Sequence, residues 1–146
     1  MNRISLPLAV TLLALVPAGA TAAKPQGTYS GSYGPPESRA VATITVDRGT
    51  VTGLSINWEC DDKRTQATLI ADAAGVTGAT FRLKRNRFTL ARTAQMSQGA
   101  IGEPGFREGR GQASFTMTFR GSSWTGKVSA SGLGCSTSGR FQATPA

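Results

Sequence analysis

The stretch that decides the fold is Thr52-Gly53-Leu54-Ser55-Ile56-Asn57-Trp58-Glu59-Cys60. Thr52, Leu54, Ile56, Trp58 and Cys60 fall on one parity, and Gly53, Ser55, Asn57 and Glu59 on the other. Successive side chains of an extended chain point to opposite faces, so a repeat of two predicts a strand with its apolar face on a core. An amphipathic helix would space its apolar residues at three and four instead. Just upstream, Ala40, Ala42, Ile44 and Val46 alternate with Arg39, Val41, Thr43, Thr45 and Asp47. Between the two runs lies Asp47-Arg48-Gly49, with a glycine where tight turns often need positive φ, and the pair predicts a hairpin.

The same period governs the C-terminal third. Ala113, Phe115, Met117 and Phe119 form one inward set, Trp124, Gly126, Val128 and Ala130 a second, and Cys135, Thr137, Gly139, Phe141 and Ala143 a third. Gly121-Ser122-Ser123 and Gly132-Leu133-Gly134 mark the turns between them. Thr28–Tyr33, Gln66–Ile70, Ala79–Leu83 and Phe88–Arg92 supply weaker strands. Nine short runs separated by turn signals predict an all-β antiparallel meander closing as a small β-barrel, with a two-sheet β-sandwich as the alternative. A single turn of helix or a bend fits only Ile70–Val76. Ala94–Arg110, with Gly99, Gly102, Pro104, Gly105 and Gly109, reads as a long connection of the kind that is usually functional or mobile.

The 146 residues suit one domain, and Lys+Arg 16 against Asp+Glu 8 makes the chain basic, at +8. It holds no histidine, which excludes Ser-His-Asp and Cys-His nucleophiles and histidine-built zinc sites. Arg3 followed by the apolar run Ile4–Val16, then Pro17 and small residues ending at Ala22, has the order of a secretory signal peptide over residues 1–22. The 13-residue run is short of the ~20 needed to span a bilayer. The expected mature piece is a single β-domain, 23–146, with no transmembrane segment; loss of Arg3 takes 16 basic residues to 15 against 8 acidic, a net of +7. Its address would be secreted, periplasmic or cell-envelope. In such a compartment the two cysteines, Cys60 and Cys135, have one pairing available, and both fall on inward parities; a free thiol would need a reducing environment.

The residues offer few candidate sites. Arg82, Lys84, Arg85 and Arg87, with Arg92 close behind, straddle a hairpin tip and form a basic patch suited to an anionic polymer or cell-envelope component. Phe81 and Phe88 share the core parity, so base stacking beside that patch is not expected. Glu59, Asp61 and Asp62 could help to hold calcium, but no EF-hand spacing surrounds them and Lys63-Arg64 neutralise them locally. No paired carboxylate stands inward on a strand, and no Walker or G-x-S-x-G pattern occurs, so the chain reads as non-enzymatic, with no cofactor and no metal. The alternative function is a small apolar-ligand carrier with a barrel interior, and a third reading presents Ala94–Arg110 to a protease as an inhibitor.

Two resemblances bear on these expectations. Gly27-Thr28-Tyr29 is similar to the Gly-x-Trp opening of lipocalin-like and avidin-like barrels, with tyrosine in place of tryptophan, and implies Tyr29 and Tyr33 lining or plugging an interior. The chain as a whole resembles a type of small secreted bacterial all-β protein with one disulfide. The residues that carry this likeness are Gly27-Thr28-Tyr29-Ser30-Gly31, the run Val51–Cys60, Trp124-Thr125-Gly126-Lys127-Val128 and Cys135-Ser136-Thr137-Ser138-Gly139. It implies fold and export, and brings no catalytic residues with it.

Overall fold

Alternating chains of this kind must pair their edges, and in the computed structural model they do so in one continuous sheet. The structure describes residues 24–35, 39–70 and 80–146; the expected signal peptide, most of the Ile70–Val76 window, and Glu37 and Asp72 lie outside the described residues. The strands are β1 (Gly27–Tyr33), β2 (Ala40–Asp47), β3 (Thr50–Cys60), β4 (Lys63–Ile70), β5 (Phe81–Arg82), β6 (Arg87–Gln98), β7 (Arg107–Arg120), β8 (Ser123–Gly132) and β9 (Cys135–Pro145). Every pairing is antiparallel, and no helix occurs among the described residues. The order β2-β1-β9-β8-β7-β6-β4-β3 closes through β2–β3 into an eight-stranded barrel.

The ninth strand, β5, completes the wall locally. β4 pairs with β3 from Leu54 to Cys60, while β5 takes the same edge at Thr50 and Val51. Lys84 bridges back to Arg87, so the β5–β6 hairpin joins β3 to β6 at that end.

The turns explain why the meander is tight. Arg48-Gly49, Asp61-Asp62, Arg85-Asn86 and Leu133-Gly134 all have positive φ at both residues, the geometry that continues the right-handed strand twist across a two-residue hairpin. Asp and Asn accept this conformation more readily than other non-glycine residues.

Inside, the inward parity is filled by side chains. Ile44, Leu54, Ile56, Leu69, Met96, Phe115, Met117 and Trp124 are all essentially inaccessible. The inward sets of β7, β8 and β9 are those read from the sequence. In β3 the reading needs one correction. Leu54, Ile56 and Trp58 are buried as expected, but Thr52 is not an inward residue. Thr45 pairs with Gly53 and Val46 with Val51, so Thr52 is the extra residue of a bulge and Val51 takes the inward place.

A second correction concerns Ala94–Arg110. β6 continues to Gln98 and β7 begins at Arg107, paired residue for residue as far as Gln98–Arg107, so only Gly99–Phe106 forms the connection. That connection is internally bonded, Glu103 N–H to Ala100 O and Phe106 N–H to Glu103 O, and held to β4 by Gly99 N–H to Arg64 O. The strand pattern was masked because its interior volume is shared unevenly. Met96 is large; it pairs with Gly109, and a Cβ on Gly111, two residues further along β7, would lie 2.0 Å from Met96 Sδ and 2.2 Å from Ser131 O. Glycine there is a packing requirement.

Gly111→Ala should therefore lower the urea unfolding free energy by about 2 kcal/mol or more, since main chain must move, whereas Thr116→Val on the outer face of the same strand should change it by less than about 0.5 kcal/mol. Equal effects from the two substitutions would contradict this account of the β6–β7–β8 wall.

Candidate functional site

A closed meander sends alternate turns to opposite rims. One rim collects the start of β1, the β2–β3 turn, the β5–β6 tip and the β7–β8 turn. The other collects the β3–β4, β6–β7 and β8–β9 connections. This sorting groups the charges.

On the first rim stand Lys24, Arg48, Arg82, Lys84, Arg85, Arg87 and Arg120, all exposed. Among the described residues its one acidic side chain is Asp47. That carboxylate accepts from Gln26 Nε2 at 3.1 Å and from Arg48 Nε at 3.3 Å, and these bonds hold its pKa below the ordinary carboxylate value. On the second rim Arg39, Lys63, Arg64, Arg107 and Arg110 are offset by Glu59, Asp61, Asp62, Glu103 and Glu108. Arg39 Nε lies 3.4 Å from Glu59 Oε2.

The four residues read from the sequence, Arg82, Lys84, Arg85 and Arg87, thus lie together on the first rim. Leu83 N–H bonds Gly49 O at 2.9 Å, fixing their hairpin to the β2–β3 turn, and Phe119 N–H bonds Asn86 O at 2.7 Å, fixing it to the end of β7. Those two bonds bring Arg48 and Arg120 to the patch, which the sequence reading missed; counting turns around a meander would have found them. Arg92 departs from the patch: it sits mid-strand opposite Ala113, half-buried, on the parity of Phe88 and Ala94. Lys84, Arg85 and Arg87 also line an open cleft of about 700 Å³ whose floor carries Thr89, Thr116 and Thr118.

Beneath this rim the barrel is plugged by aromatic rings. Trp124 lies 5.3 Å from Phe119, 5.4 Å from Phe88 and 6.4 Å from Tyr29 between ring centroids, and Phe81 stacks edge-on to Phe88 at 5.2 Å. Phe81 and Phe88 are packed into the core, as their parity predicted. Tyr29 closes the same end, its hydroxyl donating to Gln26 O at 3.1 Å.

The opposite rim carries the disulfide. Cys60 and Cys135 are bridged with Cα atoms 6.2 Å apart, joining the end of β3 to the start of β9. Gln98, fully buried on the inward face of β6, packs against it: its Nε2 donates to Thr65 Oγ1 at 3.3 Å and Cys135 Sγ at 3.2 Å, and its Oε1 accepts from Arg107 Nη2. Asp61 lies beside the two sulfurs, but these are spent in the S–S bond and offer no thiolate ligand. Asp61 and Asp62 serve as the two turn residues of the β3–β4 hairpin, and the carboxylate of Glu59 pairs with Arg39 rather than with Lys63 or Arg64.

Tyr33 is the second tyrosine of β1, 4% exposed, packed edge-on to Phe141 with centroids 6.5 Å apart. Burial pushes its pKa up to about 12, opposed in part by the hydrogen bond that Thr137 Oγ1 donates to its oxygen. Comparison with family models, with curated proteins and with solved structures finds no match to this chain.

Because the folded barrel favours the neutral phenol, its contribution is present below the unfolded pKa of ~10 and is lost as pH rises towards 12. The urea midpoint should fall across that window, and Tyr33→Phe should flatten the fall; an unchanged slope in the variant would remove Tyr33 from the explanation.

Proposed function

We propose that this chain is an exported, non-enzymatic β-domain that binds an anionic partner of the cell envelope or the surrounding medium through its basic rim. The observation that carries the reading is the segregation of charge: seven exposed cations against one acid, Asp47, among the described residues at one end, with a balanced rim at the other. A net charge spread evenly would serve solubility, whereas a one-sided field attracts and orients a partner. Secretion or a periplasmic address rests on the order of residues 1–22 and on the disulfide, which persists in an oxidising compartment. A bacterial source rests on the resemblance alone.

The interior weighs against the small-ligand carrier. Phe115, Met117 and Trp124 are at most 1% exposed and occupy the space that a carried molecule would need, on the order of 300 Å³. The inhibitor reading loses its main support with the shortening of the Ala94–Arg110 loop to Gly99–Phe106.

A soluble anionic polymer, inorganic polyphosphate, provides the test. Binding should weaken as salt rises, and Arg85→Ser/Arg87→Ser should cost at least ~10-fold in affinity and reduce the salt slope by about 2. Absent binding, or binding indifferent to salt, would contradict the proposal.

A further inference from the structure

The arrangement of the cations selects among anionic partners, and the selection rests on the basic rim being an anion-binding surface. Eight strands spaced by ~4.8 Å and tilted by ~40° close into a ring about 16 Å across. The rim charges are distributed over separate points of that ring: Lys24 ahead of β1, Arg48 on the β2–β3 turn, Lys84 and Arg85 on the β5–β6 tip, and Arg120 at the end of β7. A single strand of polyanion crossing the ring meets only part of such a set. A plane meets all of it.

The apolar chemistry at this end agrees with a surface that is touched and not entered. Phe81, Phe88, Phe119 and Trp124 are packed into the plug below the rim. The exposed large apolar side chain of the described residues, Ile101 at 86%, lies on the β6–β7 connection at the other rim. Among the described residues no exposed aromatic group stands beside the cations as a platform on which bases could stack, which disfavours single-stranded nucleic acid. We infer that the basic rim docks end-on against the phosphate plane of an anionic lipid bilayer, held by charge, with the disulfide rim and Ile101 facing away.

Such attachment is additive in cations and short in range. Each basic side chain near an anionic surface contributes about 5-fold to partitioning, and the effect decays within a Debye length. The oxidised full chain would be sedimented with vesicles of phosphatidylcholine containing ~30% phosphatidylglycerol, and with phosphatidylcholine vesicles, which measure what the apolar run Ile4–Val16 contributes alone. Arg85→Ser/Arg87→Ser/Arg120→Ser should lower the phosphatidylglycerol-dependent partitioning on the order of 100-fold. Lys63→Ser/Arg64→Ser/Arg110→Ser, the same loss of charge at the other rim, should lower it by less than ~5-fold. Circular dichroism of each variant, and polyphosphate binding by the far-rim variant, report on folding.

Equal losses in the two triples would overturn the orientation. Polyphosphate binding that is lost in the first triple, with no phosphatidylglycerol-dependent sedimentation, would overturn the bilayer and leave the anion-binding rim standing. Tighter binding of a duplex DNA than of the vesicles at equal salt would replace the bilayer by nucleic acid. Failure of every anionic probe would overturn both readings.

Discussion

Strand β1 is hydrogen-bonded on both of its edges, to β2 along its whole length and to β9 at Tyr29, Ser30 and Tyr33, and the rest of the molecule depends on that double pairing. Without it the sheet would present two open edges, which favour association between molecules, and the inward set would face water. The seam constrains the sequence closely. A Cβ on Gly31 would lie 1.9 Å from the carbonyl oxygen of Gln142, and one on Gly139 would lie 2.9 Å from the ring of Tyr33. Small residues on the seam let the two strands approach while Tyr33 and Phe141 seal it from inside.

Closure has a second consequence, which reaches the charged rim. In an open sheet the turns would lie along two parallel borders, whereas in a ring they converge on two small rims. Arg48, Arg85 and Arg120, far apart in sequence, come to one rim because their turns share an end, and two backbone hydrogen bonds, from Leu83 to Gly49 and from Phe119 to Asn86, tie the basic hairpin to its neighbours there. The opposite rim is organised around the Cys60–Cys135 bridge and the buried Gln98, whose polar groups are satisfied by Thr65, Cys135 and Arg107. Mechanical fixation and charge are thus placed at different ends of one barrel.

Much of this was legible in the residues. Period-two alternation sufficed for β2, β8, β9 and the Ala113–Phe119 part of β7 because their inward positions hold apolar or small residues without interruption. The disulfide followed from parity and from there being two cysteines. The basic hairpin was visible as a run of cations between two pairs of core residues. Three features were not legible, each for a physical reason. Thr52 is an ordinary strand residue until its partners Thr45 and Val46 are known, because a bulge is a property of a pair. The extension of β6 and β7 through Ala94–Gln98 and Arg107–Arg110 was hidden because Met96 fills the space beside Gly109, its pair, and Gly111, so one strand lost its apolar signal to the other. Lys24, Arg48 and Arg120 gave no local sign of belonging to the patch, since their grouping is made by topology.

Amide hydrogen exchange of the oxidised protein, resolved by strand, tests the closed barrel most directly. Closure predicts that amides of β1 and β9 at the seam, around Tyr33 and Phe141, exchange as slowly as those of the β7–β8 ladder. Free exchange along β1 and β9 while β7 and β8 stay protected would show an open sheet, and with it would go the rim that gathers the cations.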